Sequence, residues 1–234
     1  MKVLLRSMMV VCLVLGVVVM GSTVPPLPTA FRVSMYEKLV TDVGVSPAPQ
    51  TFNWTIDYAI DYSLLSARIA HSAGQYDEIC SSIPGHEHTQ EPCVEYITPE
   101  WRYVHLPGPN ICCKCCPSPG FCGVVKPTWA TNGVFVGTSD IPTSGPESNK
   151  TQVCNEYQIQ GTYVNHWYIT ADSADSDTAV PCRFWESKPG KVPLKQITYD
   201  LDTWTPGPVP KSTFDLPDVP GGCDTRCPGI CSKT

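Results

Sequence analysis

Charge is scarce in this sequence. Asp, Glu, Lys and Arg make up 16% of its 234 residues, and the formal balance is −6. The shortage of basic residues excludes a nucleic-acid partner, whose phosphates require a cationic face. Sustained helical periodicity is missing too, apart from a short stretch over Leu64 to Ser72, so bundles and coiled coils are excluded. After the first 21 residues no apolar run approaches the roughly 20 residues a spanning helix needs, which excludes stable membrane insertion. Hydrolase signatures are wanting: there is no G-x-S-x-G elbow and no H-E-x-x-H helix. The sequence therefore reads as a non-enzyme with no catalytic residue.

What is abundant is cysteine, 13 residues, and proline, 24. Residues 1–21 open with Lys2 and Arg6, run apolar from Met8 to Met20 and end in small residues, the pattern of a secretory signal peptide. Removing them takes away Lys2, Arg6 and Cys12, which shifts the formal charge from −6 to −8 and leaves an even twelve cysteines. In an oxidising compartment an even count reads as six disulfides among Cys80, Cys93, Cys112, Cys113, Cys115, Cys116, Cys122, Cys154, Cys182, Cys223, Cys227 and Cys231. Their pairing is open, although neighbours such as Cys112 and Cys113 should reach different partners. Asn53 and Asn149 each head an N-x-T sequon, compatible with glycans on a secreted surface.

Residues 22–234 read as one mainly β domain, with an irregular Cys-rich loop over 112–122 and a Cys-rich tail over 217–234. From Phe52 to Leu64 an apolar residue takes every second position, which predicts a strand with one dry and one wet face, broken by a bulge at Leu64-Leu65. Weaker signals recur at Phe31–Met35, Trp101–Leu106, Val134–Val136, Gln152–Gly161, Tyr163–Ile169 and Ile197–Thr203, and the chain as a whole is expected to hold roughly eight to ten strands. One-sided strands belong to antiparallel sheets. Most aromatics should fill a core between layers. A curved sheet can also line an apolar cleft with them, and the candidate wall residues are Trp54, Trp101, Tyr103, Phe135, Tyr157, Trp167 and Phe184.

Other constellations have ordinary readings. The overlapping C-x-x-C spacings of Cys112 to Cys116 would suit zinc in the cytosol, but after export disulfides are the better account. His86 and His88 fall in a polar turn. Asp172, Asp175 and Asp177 lack the glycine and bidentate glutamate of a helix-loop-helix calcium site. Asp200 and Asp202 share a predicted strand face as paired acids, with nothing to set their environments apart. No metal ligand set is assigned.

The C-terminal half carries a resemblance. Gly123 to Gly137, then Cys154-Asn155-Glu156-Tyr157, Trp167-Tyr168, Pro181-Cys182-Arg183-Phe184, a strand ending at Asp202, and Phe214-Asp215-Leu216-Pro217 before Cys223 follow one another. In that order they resemble the ependymin-related family of secreted glycoproteins. The resemblance covers about half of the chain after residue 21 and is tightest at Phe214–Pro217. It implies two stacked, strongly curved antiparallel sheets around a deep apolar pocket, N-glycosylation, disulfides and lipid-like ligands, and it allows calcium binding and homodimers. The Cys112–Cys116 cluster and the Cys223, Cys227, Cys231 tail exceed the family's usual cysteine number. The expected function is therefore a secreted carrier of a hydrophobic molecule or lipid. The alternatives are a disulfide-hardened coat, matrix or adhesion component and, last, an unrecognised hydrolase.

Overall fold

The computed structural model describes residues 24–41, 50–74, 77, 79–80, 83, 85–86, 90–145, 148–161, 163–175, 178–187, 193–228 and 231. The leader expected over residues 1–21 lies outside them. In chain order the strands are β1 (Ala30–Thr41), β2 (Gln50–Asp61), β3 (Ser66–His71), β4 (Cys93–Ile97), β5 (Trp101–Leu106) and β6 (Ile111–Pro117), followed by β7 (Val134–Pro142), β8 (Thr151–Gln160), β9 (Val164–Thr170), β10 (Pro181–Ser187), β11 (Pro193–Tyr199) and β12 (Thr205–Pro206). They form a single antiparallel sheet ordered β6-β5-β4-β3-β2-β1-β11-β10-β9-β8-β7, with β12 added on β1. The chain is thus mainly β and disulfide-rich as the sequence predicts. The two facing layers are limbs of one hydrogen-bonded sheet.

Curvature makes the limbs face each other. Arg102 in β5 and Trp167 in β9 line the same cavity. Seven strand spacings separate β5 from β9, about 34 Å on a flat sheet, so the sheet must bend sharply around β1 and β2. The inner face holds the main core: Phe31, Val33 and Met35 of β1, Trp54, Ile56 and Ile60 of β2, Ala67 of β3, Trp167 and Ile169 of β9, and Tyr199 of β11.

β2 follows its period of two. Trp54, Ile56 and Ile60 are buried, while Asn53, Thr55 and Asp57 are exposed. It ends at Asp61, whose side chain accepts the Ser63 amide and starts a single helical turn, and the break expected at Leu64-Leu65 is a left-handed Leu65 at φ 50°. The helical reading of Leu64 to Ser72 is corrected to β3. Pairing with β2 on one side and β4 on the other satisfies its backbone donors and overrides the local spacing. The outer face of β2 is covered at one end, where Val209 and Phe214 bury Ala59. That places the Phe214–Pro217 segment against the convex side.

The Cys-rich segment over 112–122 is not an irregular loop throughout. Its first half is β6, paired with β5, with a register shift opposite Arg102 and Tyr103 that inserts Cys115 as an extra residue. Three of its cysteines hold the tail, as Cys112–Cys223, Cys113–Cys227 and Cys115–Cys231, while Cys116 closes locally on Cys122. Cys80–Cys93 and Cys154–Cys182 complete six bridges. The tail also pairs with the strand it is tied to: the Lys114 amide donates to Thr225 O at 2.8 Å, and the Cys227 amide to Lys114 O at 2.7 Å. An edge strand with unpaired amides is an invitation to aggregation, and here the tail covers it.

The first tail bridge to form closes a loop of more than 110 residues, an entropic constraint of about 4.7 kcal/mol, whereas a second closes a ring of a few residues worth roughly 2 kcal/mol. Cys113→Ala with Cys227→Ala should therefore lower stability by about 2 kcal/mol in guanidinium denaturation. Replacing all six cysteines of the three bridges should cost at least twice that. A loss of about 4.7 kcal/mol from the single bridge would show that the bridges do not share one loop.

Candidate functional site

The inward positions of the sheet become ionic at one end. In β1 the series Phe31, Val33, Met35 continues to Glu37, which is buried. In β3 the series Ala67, Ile69 continues to His71, and in β11 Tyr199 and Ile197 lead back to Lys195. Register gathers these residues, because Glu37 lies opposite Trp54 and Ile197, Ile56 opposite His71, and Ile69 opposite Glu95 of β4. Arg102 from β5 and Asp77 from the β3–β4 connection join His71, Glu95 and Lys195 on the wall of one cavity, while Glu37 reaches the group through Lys195.

That cavity measures about 250 Å³. Its apolar walls come from Met35, Ile56, Tyr58 and Ile69 on one limb and from Trp167, Phe184, Ile197 and Tyr199 on the other. Trp129 closes it from the segment between β6 and β7, standing edge-on to Trp167 at 5.3 Å and to Phe184 at 5.7 Å. Leu27 sits in the strap that precedes β1, and its amide donates to Pro127 O at 2.9 Å. On its other side Leu27 lines an open groove of about 660 Å³ with Pro26, Pro28, Tyr62, Lys126 and Pro127. The Trp167 indole N–H is buried and has no hydrogen-bond partner among the described residues.

The charges at the polar end are interlocked. Glu37 accepts from Lys195 Nζ at 2.6 Å and from the Trp54 indole at 2.9 Å. Glu95, 1% exposed, lies 3.2 Å from His71 Nε2 through Oε1 and accepts a close double contact from Arg102 through Oε2. Burial works against charge on Glu95, but the Arg102 guanidinium and the His71 hydrogen bond outweigh it and hold its carboxyl at about 2. Burial likewise opposes a proton on His71, yet its bond to Glu95 and the fields of Asp77, Glu95 and Glu37 raise its pKa above the ordinary 6.5. Asp77 is pushed up by burial and by the Glu95 charge, against the pull of His71 and Lys195. Lys195 is raised because Glu37 and Asp77 more than offset its burial. Tyr58 and Tyr199 are pushed well up by burial and stay neutral.

Of the wall residues expected from sequence, Trp167 and Phe184 line the cavity and the others do not. Trp54 is buried beside it, serving Glu37. Tyr157 is fully buried in the core, and Phe135, edge-on to it at 5.8 Å, is 47% exposed on the outer strand β7. Trp101 and Tyr103 face the other way, because Arg102 between them points inward and a strand alternates. Arg226 lies over the Trp101 ring at 4.5 Å, and Tyr103 packs with Cys112 and Cys223. The ionic residues were the ones missed. A charge in the next inward slot after Phe31, Val33 and Met35 was the available signal.

The remaining candidates are dispersed. Asn53 and Asn149 are exposed. His86 Nδ1 is 3.4 Å from Glu91 Oε2, and His88 lies outside the described residues, as does Asp177. Asp172 is exposed in a helical turn. Asp200 and Asp202 are not paired acids, since Asp200 accepts the Asp202 amide and Asp202 accepts the Ser144 hydroxyl. The donors that could hold a metal are His71, Asp77 and Glu95. Cys80 adjoins them, but its sulfur is bound to Cys93.

No family model matches this chain, and no curated protein matches it. Among solved structures it is similar to an uncharacterized conserved protein from Thermus thermophilus, with 12% identity and TM-score 0.49 over 86% of this chain and 91% of that one. It also aligns with a LolA superfamily protein from Nitrosomonas europaea, with 7% identity and TM-score 0.32 over 81% of this chain and 91% of that one. Among the described residues no helix is long and apolar enough to cross a membrane.

Arg102→Met should cost about 3–5 kcal/mol in urea denaturation, because it leaves the Glu95 carboxylate buried without its main partner. Adding Glu95→Leu should recover part of that loss. A single variant as stable as the parent would mean that the pair is effectively solvated.

Proposed function

We propose that this chain is a secreted, non-enzymatic glycoprotein, a divergent relative of the ependymin-related proteins, that shelters a hydrophobic, lipid-like ligand in the concave face of its sheet. The observation that carries this reading is the cavity of about 250 Å³, walled by aliphatic and aromatic side chains from both limbs. Ligand sites usually occupy some 300–1,000 Å³, and the groove of about 660 Å³ beyond Leu27 supplies the missing room. Movement of the Leu27 strap would join the two spaces. Each methylene removed from water contributes about 0.8 kcal/mol. The unpartnered Trp167 indole N–H offers one point of orientation to a ligand oxygen. No covalent chemistry is needed for this task. Six disulfides suit an oxidising compartment, and the two exposed sequons, Asn53 and Asn149, suit an exported surface.

The coat or matrix reading draws on one surface feature. Val134, Phe135 and Val136 are 68%, 47% and 52% exposed on the outer strand β7, a place where strands of two molecules can pair. This reading predicts multimers in sedimentation that Val134→Lys with Val136→Lys disperses.

Freshly secreted protein should carry copurifying acyl mass in native mass spectrometry and should quench or enhance an acyl fluorophore. Ile197→Phe, which fills the cavity, should weaken that probe at least 10-fold, since overpacking leaves no space for it. Repeated isolation of ligand-free protein that ignores the probe would remove the carrier reading.

A further inference from the structure

The polar end of the cavity contains more acid than permanent base. Glu37, Asp77 and Glu95 face Lys195 and Arg102. Lys195 takes Glu37 Oε1 and Arg102 takes Glu95 Oε2. Among the described residues no lysine or arginine lies within ion-pair distance of Asp77, whose side chain is 13% exposed. A carboxylate so placed calls for another cation.

Both acids are anchored through one oxygen, which leaves the other turned toward His71. Asp77 Oδ1 accepts the Ile79 and Cys80 amides, each at 2.9 Å, and its Oδ2 stands 3.8 Å from His71 Nε2. Glu95 Oε2 is fixed by Arg102, and its Oε1 stands 3.2 Å from the same nitrogen. The three residues present donor atoms that all lie within 4.8 Å of one another. Donors on a tetrahedral ion with bonds of about 2.0–2.1 Å stand about 3.3 Å apart, so the 3.2 Å between His71 and Glu95 already fits, and Asp77 Oδ2, 3.8 Å from the same nitrogen, has to draw closer. His71 is 4% exposed, and its other ring nitrogen, Nδ1, is buried without a hydrogen-bond partner among the described residues. Glu37 Oε2 lies 4.0 Å from that nitrogen, on the side where a metal-bound imidazole needs an acceptor for its N–H.

We propose that His71 Nε2, Asp77 Oδ2 and Glu95 Oε1 form a binding site for a divalent first-row transition metal of the zinc class. One imidazole and two carboxylates suit such an ion, whereas calcium takes six to eight oxygens. All three residues line the cavity, so the fourth position falls to water or to an oxygen of the cavity's occupant. The site is independent of the carrier reading, because it stands whether or not a lipid binds.

The secreted protein is stripped with EDTA and titrated with Zn2+ by calorimetry, then separately with Co2+ followed by visible absorption. We expect one equivalent of each and a strong low-coordinate Co2+ band. Asp77→Asn keeps the acceptor for the Ile79 and Cys80 amides and should weaken Zn2+ at least 10-fold, and His71→Gln should abolish the Co2+ band. Circular dichroism and the absence of free thiols verify the fold of each variant. If His71→Gln does not fold, the parent titration and Asp77→Asn decide. Absence of stoichiometric uptake by the parent, or uptake unchanged in the folded variants, overturns the site. An acyl probe added to the same metal-free sample reports on the carrier reading separately.

Discussion

The pairing of β1 with β11 is the contact on which the rest depends. It joins segments some 160 residues apart, with Met35 opposite Tyr199 and Glu37 opposite Ile197. Without it the meander β1 to β6 and the meander β7 to β11 would be two open sheets, each with an apolar face in water. With it they become limbs of one curved sheet, and one set of inward side chains forms both the core and the cavity wall. Contacts so distant in sequence are slow to form because loop closure must come first. The tail bridges reinforce the far limb, pinning Cys223, Cys227 and Cys231 to β6.

The same pairing explains why charge survives inside. Glu37 and Lys195 sit on adjacent strands, and Glu95 and Arg102 on another adjacent pair, so each of these two acids meets a base. Buried ion pairs are weak evidence for stability, since desolvation offsets most of the attraction. They lie at the end of an apolar cavity, with His71 between the Glu37 and Glu95 carboxylates. A uniformly apolar wall could hold a hydrocarbon but could not position its polar end.

Much of this was legible beforehand. The seven-fold alternation from Phe52 gave away β2, and the break at Leu64-Leu65 is where the chain turns. Parity and neighbour geometry implied six bridges, with Cys112 and Cys113 sent to different partners. β3 was hidden because Ser66–His71 contains small and mixed residues whose strand state is imposed by neighbours on both sides. β6 was hidden because cysteines carry no periodic signature. The aromatic wall was only partly readable, since Trp101 and Trp167 look alike in sequence and differ in which face their strand presents.

The sequence by itself determined the class of structure: period-two patterning, scarce charge and twelve cysteines after residue 21 leave little besides a disulfide-bound antiparallel β protein. Only the tertiary structure decided where the site is. Glu37, His71, Asp77, Glu95, Arg102 and Lys195 are scattered over nearly 160 positions, and no local rule relates them. They meet because strand register fixes which residues lie side by side, and curvature fixes which of those face the same enclosed space.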